Sequence, residues 1–195
     1  MIILASASAV RARLLRDAGV SCTVATPDVD EVALKAELLA AGAGPREIAA
    51  RLSEAKALSL AAAPDDFVIG ADQTLDLDGG LVDKAADLAE IRARLLNLRG
   101  RAHTLHAATA LARGGTILWR GMASPQLRMR AFSDAFLDDY LAAEGAAVLS
   151  SVGCYRLEGM GVQLFEAIDG DYFAVLGLPL VSLLAALRQA GGLSS

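Results

Sequence analysis

Histidine, cysteine and lysine are all scarce in this chain, and each scarcity closes off a class of chemistry. His103 and His106 are the only histidines, Cys22 and Cys154 the only cysteines. No thiol or carboxylate pattern surrounds the two histidines at the spacing of a zinc site, and three residues apart on a strand they point to opposite faces. Both therefore read as structural. Two cysteines without an export signal read as reduced core thiols rather than a disulfide. An excess of basic charge is also missing: the formal net charge is −5 and the pI near 5.0. Wrapping a nucleic-acid polymer needs a cationic surface that displaces counterions, so that partner is excluded. A single nucleotide needs only a few cations in a cleft.

Long apolar runs are absent as well. Hydrophobic residues make up 54% of the chain, but Arg, Asp, Glu or Gly interrupts each run before it could span a bilayer. Met1-Ile2-Ile3-Leu4-Ala5 lacks the basic lead-in and long core of a signal peptide. A cytoplasmic protein with no membrane partner is the expectation. The length of 195 residues suits one compact domain over residues 1–195, folded as two lobes around a cleft.

What is present alternates between strand and helix patterns. Ile2 to Ala5 reads as a strand, followed by Ser6-Ala7-Ser8 as cap candidates for a helix that ends at Gly19. Val20 to Ala25 reads as a second strand, and helical stretches follow over Val32 to Ala41 and Arg46 to Ala62. Val68 to Ala71 is a short buried strand that delivers Asp72 to its end, and a hairpin turns at Asp78-Gly79. A helix runs from Ala86 to Leu98. Ala102 to Leu111 and Thr116 to Arg130 are strand-rich, and Ser133 caps another helix. Val162 to Ile168 and Tyr172 to Val175 are expected to pair as a hairpin across Asp169-Gly170-Asp171. Pro179 opens the last helix. Isolated strands mixed with hairpins and helices predict an α/β domain with a mixed twisted sheet and flanking helices.

Several residue groups could carry chemistry. Ser8 and Arg11 stand at a helix start, where amides and dipole attract phosphate. Only three lysines occur, and Lys56 and Lys84 both fall beside the Asp72 strand. Lysine is a compact point charge suited to phosphate oxygens. Asp30-Glu31 together with Asp72 could hold a Mg²⁺-like ion through one or two carboxylates plus substrate phosphates. The stretch from Gly153 to Gly161 is a glycine-rich loop able to approach a ligand closely.

Taken in order, these segments resemble the Maf family of nucleotide pyrophosphatases. Leu4-Ala5-Ser6-Ala7-Ser8-Ala9-Val10-Arg11 with Leu14-Leu15 looks like the family's opening L-A-S-x-S-P-R-R-x-x-L-L. Asp30-Glu31, Lys56-Ala57, Ile69-Gly70-Ala71-Asp72, Lys84, Leu98-Arg99-Gly100-Arg101-Ala102-His103, Gly153-Cys154-Tyr155 and Gly177-Leu178-Pro179-Leu180 follow in the family's order. The resemblance implies a fold related to inosine triphosphate pyrophosphatases, commonly as a homodimer. It implies hydrolysis of nucleoside triphosphates to monophosphate and pyrophosphate with a divalent metal (Mg, Mn or Co), serving to remove modified nucleotides. Asp72 is then the general base, with Lys56 and Lys84 as catalytic cations. Ser8, Arg11 and Glu158 bind substrate, and Asp72 with Glu31 holds the metal. The family's association with septum formation implies an alternative, a non-catalytic or weakly catalytic regulator of cell division.

The chain departs from the family pattern at four places. Ser8-Ala9-Val10-Arg11 has one arginine where the family has two. Gln73 follows Asp72 where threonine is usual, with Thr74 one residue later as a hydroxyl source. Ala85 replaces a proline after Lys84. Leu157-Glu158-Gly159 replaces Ile-Gln-Gly, which removes an amide donor, adds negative charge and so changes base or metal recognition.

Overall fold

Two long neighbouring strands carry the molecule, and every other element is arranged along them. The computed structural model describes residues 1–194. In chain order the elements are β1 (Ile2–Ala5), α1 (Ala9–Asp17), β2 (Thr23–Ala25), α2 (Glu31–Ala40), α3 (Pro45–Leu58), β3 (Phe67–Leu77), β4 (Gly80–Val82), α4 (Leu88–Leu98), β5 (Ala102–Arg113), β6 (Thr116–Ala123), β7 (Gln126–Met129), α5 (Asp134–Glu144), β8 (Phe165–Asp169), α6 (Tyr172–Val175) and α7 (Leu180–Gln189). The sheet is open and eight-stranded, in the order β2-β1-β3-β5-β7-β8, with β4 added to β3 and β6 added to β5. Its β1–β2 and β1–β3 pairs are parallel and the rest antiparallel. The mixed α/β architecture is as the sequence predicts.

β3 and β5 pair antiparallel from Phe67 opposite Arg113 to Asp76 opposite Thr104. Both are buried along most of their length, which is why they read as near-continuous apolar or small-residue runs. Each strand serves two cores. Ile69 and Leu111 pack with Leu4, Leu15, Leu183 and Leu187. Leu75 and Leu105 pack with Ile91, Leu95, Tyr140 and Leu164. Full burial of each such aliphatic side chain stabilises the fold by about 1.5–3 kcal/mol. No helix among the described residues is long and apolar enough to cross a membrane, and neither cysteine is in a disulfide.

The other edge of β3 is interrupted. β1 ends its pairing at Ala5 opposite Gly70, and β4 begins at Val82 opposite Leu75. Ala71 to Thr74 therefore have a strand on one side only. Asp72 lies inside this gap, at the middle of an eleven-residue strand rather than at a strand end as the sequence suggested. The strand continues because Gln73 to Asp76 find partners on β5.

Other expectations are corrected. Tyr172 to Val175 is not a strand, because the Asp171 side chain accepts a hydrogen bond from the Phe173 amide at 3.0 Å and caps a helical turn. Residues 160–164 form a 3₁₀ turn, and β8 after it pairs with β7 instead. The strand-rich run from Thr116 to Arg130 breaks at Ser124-Pro125, so β6 and β7 lie along successive parts of β5. β2 keeps only the last three residues of the stretch expected from Val20.

Gly70 sets how closely α3 approaches the gap. A Cβ there would lie 2.1 Å from the Ser53 carbonyl oxygen and 2.4 Å from the Ala57 nitrogen, both backbone atoms. Since such atoms cannot swing aside, Gly70→Ala is expected to destabilise the protein by at least about 2 kcal/mol. Urea denaturation checks this, and an unchanged midpoint would show that α3 is free to retreat.

Candidate active site

The gap in the sheet edge opens into a cleft of about 620 Å³, within the size range of small-molecule sites. Ser8, Arg11, Glu31, Lys56, Asp72 and Lys84 all line it, and so does Glu158. The residues singled out from sequence, spread over 150 positions of chain, thus converge on one space.

Asp72 and Gly70 point to the same face of β3, two residues apart. Because Gly70 lets α3 lie close, Lys56 in the last turn of α3 reaches Asp72. Its Nζ donates to Asp72 Oδ1 at 2.6 Å and pairs with Glu31 Oε1 at 3.0 Å. The Lys56 side chain is 7% exposed and that of Asp72 12%, while Glu31 is 46% exposed. Glu31 is the first residue of α2, whose cap is Asp30, accepting from the Ala33 amide at 2.9 Å. One buried ammonium therefore holds two carboxylates at the cleft.

Arg11 fills the gap from the other side. Its Nε donates to the Gly177 carbonyl at 2.8 Å, and its Nη1 to the Ala71 carbonyl at 2.9 Å and to Ser6 Oγ at 3.2 Å. The Ala71 carbonyl lies in the segment of β3 that has no strand on that edge, so the guanidinium satisfies a backbone acceptor that pairing leaves open. Burial pulls the Arg11 pKa below its ordinary value, opposed by the charges of Asp72 and Glu31. Ser8 caps α1, its Oγ accepting from the Arg11 amide at 3.4 Å.

The residues at the four departures from the family pattern are placed as follows. The Gln73 amide donates to the Ala174 and Val175 carbonyls at 2.9 and 3.1 Å, which ties β3 to the end of α6. Thr74 Oγ1 donates to the Pro45 carbonyl at 2.8 Å, so it fastens the start of α3 rather than replacing the missing hydroxyl. Val10 lines the cleft, and Ala85, which follows the exposed Lys84 in the chain, is buried. Glu158 lies near two arginines, 3.6 Å from Arg13 Nη2 and 3.9 Å from Arg156 Nε.

Three contributors carry no clear signal in the sequence. Tyr155 lines the cleft with its ring stacked over Gly153, where a Cβ would meet Cε1 at 2.2 Å. His103 shares a 2.8 Å hydrogen bond with the Tyr155 hydroxyl. Lys35 lines the cleft from α2. Gly153, two residues before Tyr155, and the placement of His103 in the matched family segment were the available hints. His106 lies elsewhere, between Ser124 Oγ at 2.9 Å and Asp76 Oδ2 at 3.3 Å.

A carboxylate held by one cation and flanked by others beside a helix start is a constellation for chemistry on phosphates. The fold and cleft thus define an α/β protein with a cleft rich in charged side chains at an interrupted sheet edge. More particularly, the chain belongs to the Maf-like protein family, whose model matches residues 1–190. It is 53% identical to a nucleoside triphosphate pyrophosphatase of Caulobacter vibrioides, over 99% of this chain and 97% of the relative. It is 49% identical to one of Rhodospirillum rubrum, over 100% and 96%. It is 43% identical to a 7-methyl-GTP pyrophosphatase of Rhizobium meliloti, over 100% and 98%.

Burial pushes the His103 pKa down to about 4, from an ordinary value near 6.5. Between those values the unfolded chain binds a proton that the folded chain refuses. Stability therefore falls as pH drops from about 6.5 to 4, by up to about 3 kcal/mol from this group. Urea midpoints measured across that range should show a shallower decline for His103→Gln than for the parent protein.

Proposed function

We propose that this chain hydrolyses nucleoside triphosphates to nucleoside monophosphate and pyrophosphate. The observation that carries the reading is Asp72, held at the cleft by Lys56 with one oxygen bonded at 2.6 Å. Asp72 orients a water toward the α-phosphorus and accepts its proton as the oxygen–phosphorus bond forms. The α–β anhydride bond breaks and pyrophosphate leaves. Lys56 and Lys84 neutralise charge that develops on the phosphates, while Ser8 and the amides at the start of α1 add donors. Arg11, with Nε and Nη1 occupied, anchors that helix start against β3 and adds its charge to the cleft.

A divalent cation fits the donor set on one condition. Glu31 and Asp72 offer hard carboxylate oxygens on either side of Lys56, and no cluster of three or more His, Cys, Asp or Glu is present among the described residues. Two carboxylates suit an ion of the Mg²⁺ type whose remaining ligands are waters and substrate phosphates. Glu31 and Asp72 would hold it, and it would supply charge neutralisation on the polyphosphate. Chelation should therefore abolish turnover, and Mg²⁺, Mn²⁺ or Co²⁺ should restore it.

Glu158 presents acceptors only, so it favours a base edge that donates N–H groups. The relatives' names include both a general and a 7-methyl-GTP activity, and clearing modified nucleotides in the cytoplasm fits that pairing. The oligomer proposed is a homodimer, which light scattering after size exclusion reads directly.

Asp72→Asn should lower kcat by about 10³-fold or more, with triphosphate binding retained. The assay is quantitation of monophosphate and pyrophosphate across pyrimidine, purine and methylated triphosphates. Release of inorganic phosphate in their place sinks the proposal, and binding without turnover under all three metals favours a regulator.

A further inference from the structure

Among the described residues five cationic side chains line the cleft: Arg11, Lys35, Lys56, Lys84 and Arg156. Three of them are committed to internal partners. Arg11 makes three hydrogen bonds to Ser6, Ala71 and Gly177, and Lys56 lies between Asp72 and Glu31. Arg156 pairs with Glu144 at 3.1 Å and lies 3.9 Å from Glu158. Lys84 is exposed. Among the described residues Lys35 is held by a single partner, the carboxylate of Asp83.

That pair joins opposite sides of the site. Lys35 belongs to α2, and Asp83 follows β4 immediately and precedes Lys84 in the chain. Glu31 and Lys35 are four residues apart on α2, hence on one helical face, and both line the cleft. α2 packs against α3 but buries none of its side chains. Its ties to the cleft are thus two ion pairs, Glu31 with Lys56 and Lys35 with Asp83. The second is the more exposed at its anionic end, Asp83 being 57% exposed. An exposed pair of this kind contributes little stability, so it can be exchanged when a more highly charged anion arrives.

We propose that Lys35 is a further substrate-binding residue, which leaves Asp83 for the polyphosphate of the bound nucleotide. The assignment rests on the pyrophosphatase reading of the cleft. A triphosphate concentrates several negative charges on compact oxygens, and a lysine ammonium is suited to such a target. Asp83 keeps Lys35 directed across the cleft and competes with the phosphates for it. Removing Lys35 and removing its competitor should therefore act in opposite directions, which a merely structural ion pair would not do.

The test uses the full chain with two readouts: calorimetric binding of inorganic tripolyphosphate, and steady-state turnover of a nucleoside triphosphate. Lys35→Met should weaken tripolyphosphate binding and raise KM about tenfold, with kcat changed less than about threefold. Lys35→Arg should restore most of the loss. Asp83→Asn should tighten binding and lower KM by about threefold, and should have no effect once Lys35→Met is present. Neither position is buried, so the variants should melt with the parent protein. The assignment is overturned if Lys35→Met leaves both constants within about twofold of the parent, or if Asp83→Asn weakens binding as Lys35→Met does. A parent protein that shows this binding pattern yet releases no pyrophosphate overturns the pyrophosphatase reading and upholds Lys35 as a polyphosphate ligand.

Discussion

Lys56 is held between two carboxylates, and its bond to Asp72 is the contact around which the site is arranged. Burying an ammonium and a carboxylate costs several kcal/mol per ion, which their attraction offsets only when geometry is good. Taking away one partner strands the other and costs about 3–5 kcal/mol. Such a pair is a poor device for stability, since well-packed apolar residues would serve as well. Its placement at a cleft, with Glu31 as a third member, fits the proposed action of these charges on a ligand. The pair in turn depends on Gly70, whose missing Cβ lets the α3 backbone lie against β3 within reach of Asp72.

The interrupted edge of β3 is the second constraint. Asp72 gains rigidity from its ladder to β5 on one side and access to solvent from the missing strand on the other. The backbone groups left open there must be met by something else, and the Arg11 guanidinium meets the Ala71 carbonyl while also gripping Gly177. Gln73, from the opposite face of the strand, holds the two carbonyls just before that glycine. Segments near both ends of the chain are therefore fastened to the same four residues of β3. In the proposed reading the cations divide their tasks: Arg11 chiefly assembles the site, Lys56 sets the base, and Lys35 and Lys84 retain charge for a ligand.

Much of this was legible in the sequence, and the reasons it was or was not are physical. Helix starts at Ser8, Asp30 and Ser133 were readable because a capping side chain acts locally. Asp72, Lys56 and Lys84 could be grouped because lysine is scarce and the matched segments keep a fixed order. The extent of β3 was not legible, because Gly70-Ala71-Asp72 has the composition of a turn and only the pairing with β5 overrides it. The turn of α6 was missed because Tyr172 to Val175 has strand-favouring residues, while its cap at Asp171 also fits a hairpin. Arg11 was read as a substrate-binding residue, and nothing local reveals that two distant carbonyls also hold it. Lys35 enters the cleft through tertiary packing alone, and Tyr155 was legible only as part of the glycine-rich loop.

The central claim is that Asp72, fixed by Lys56 in the gap of the sheet, directs water at the α-phosphorus of a nucleoside triphosphate. Turnover in ¹⁸O-enriched water, with mass analysis of both products, tests it most directly. The account predicts that the label appears in the nucleoside monophosphate and that the released pyrophosphate is unlabelled. Label in the pyrophosphate, with none in the monophosphate, would place the attack on the β-phosphorus and contradict it.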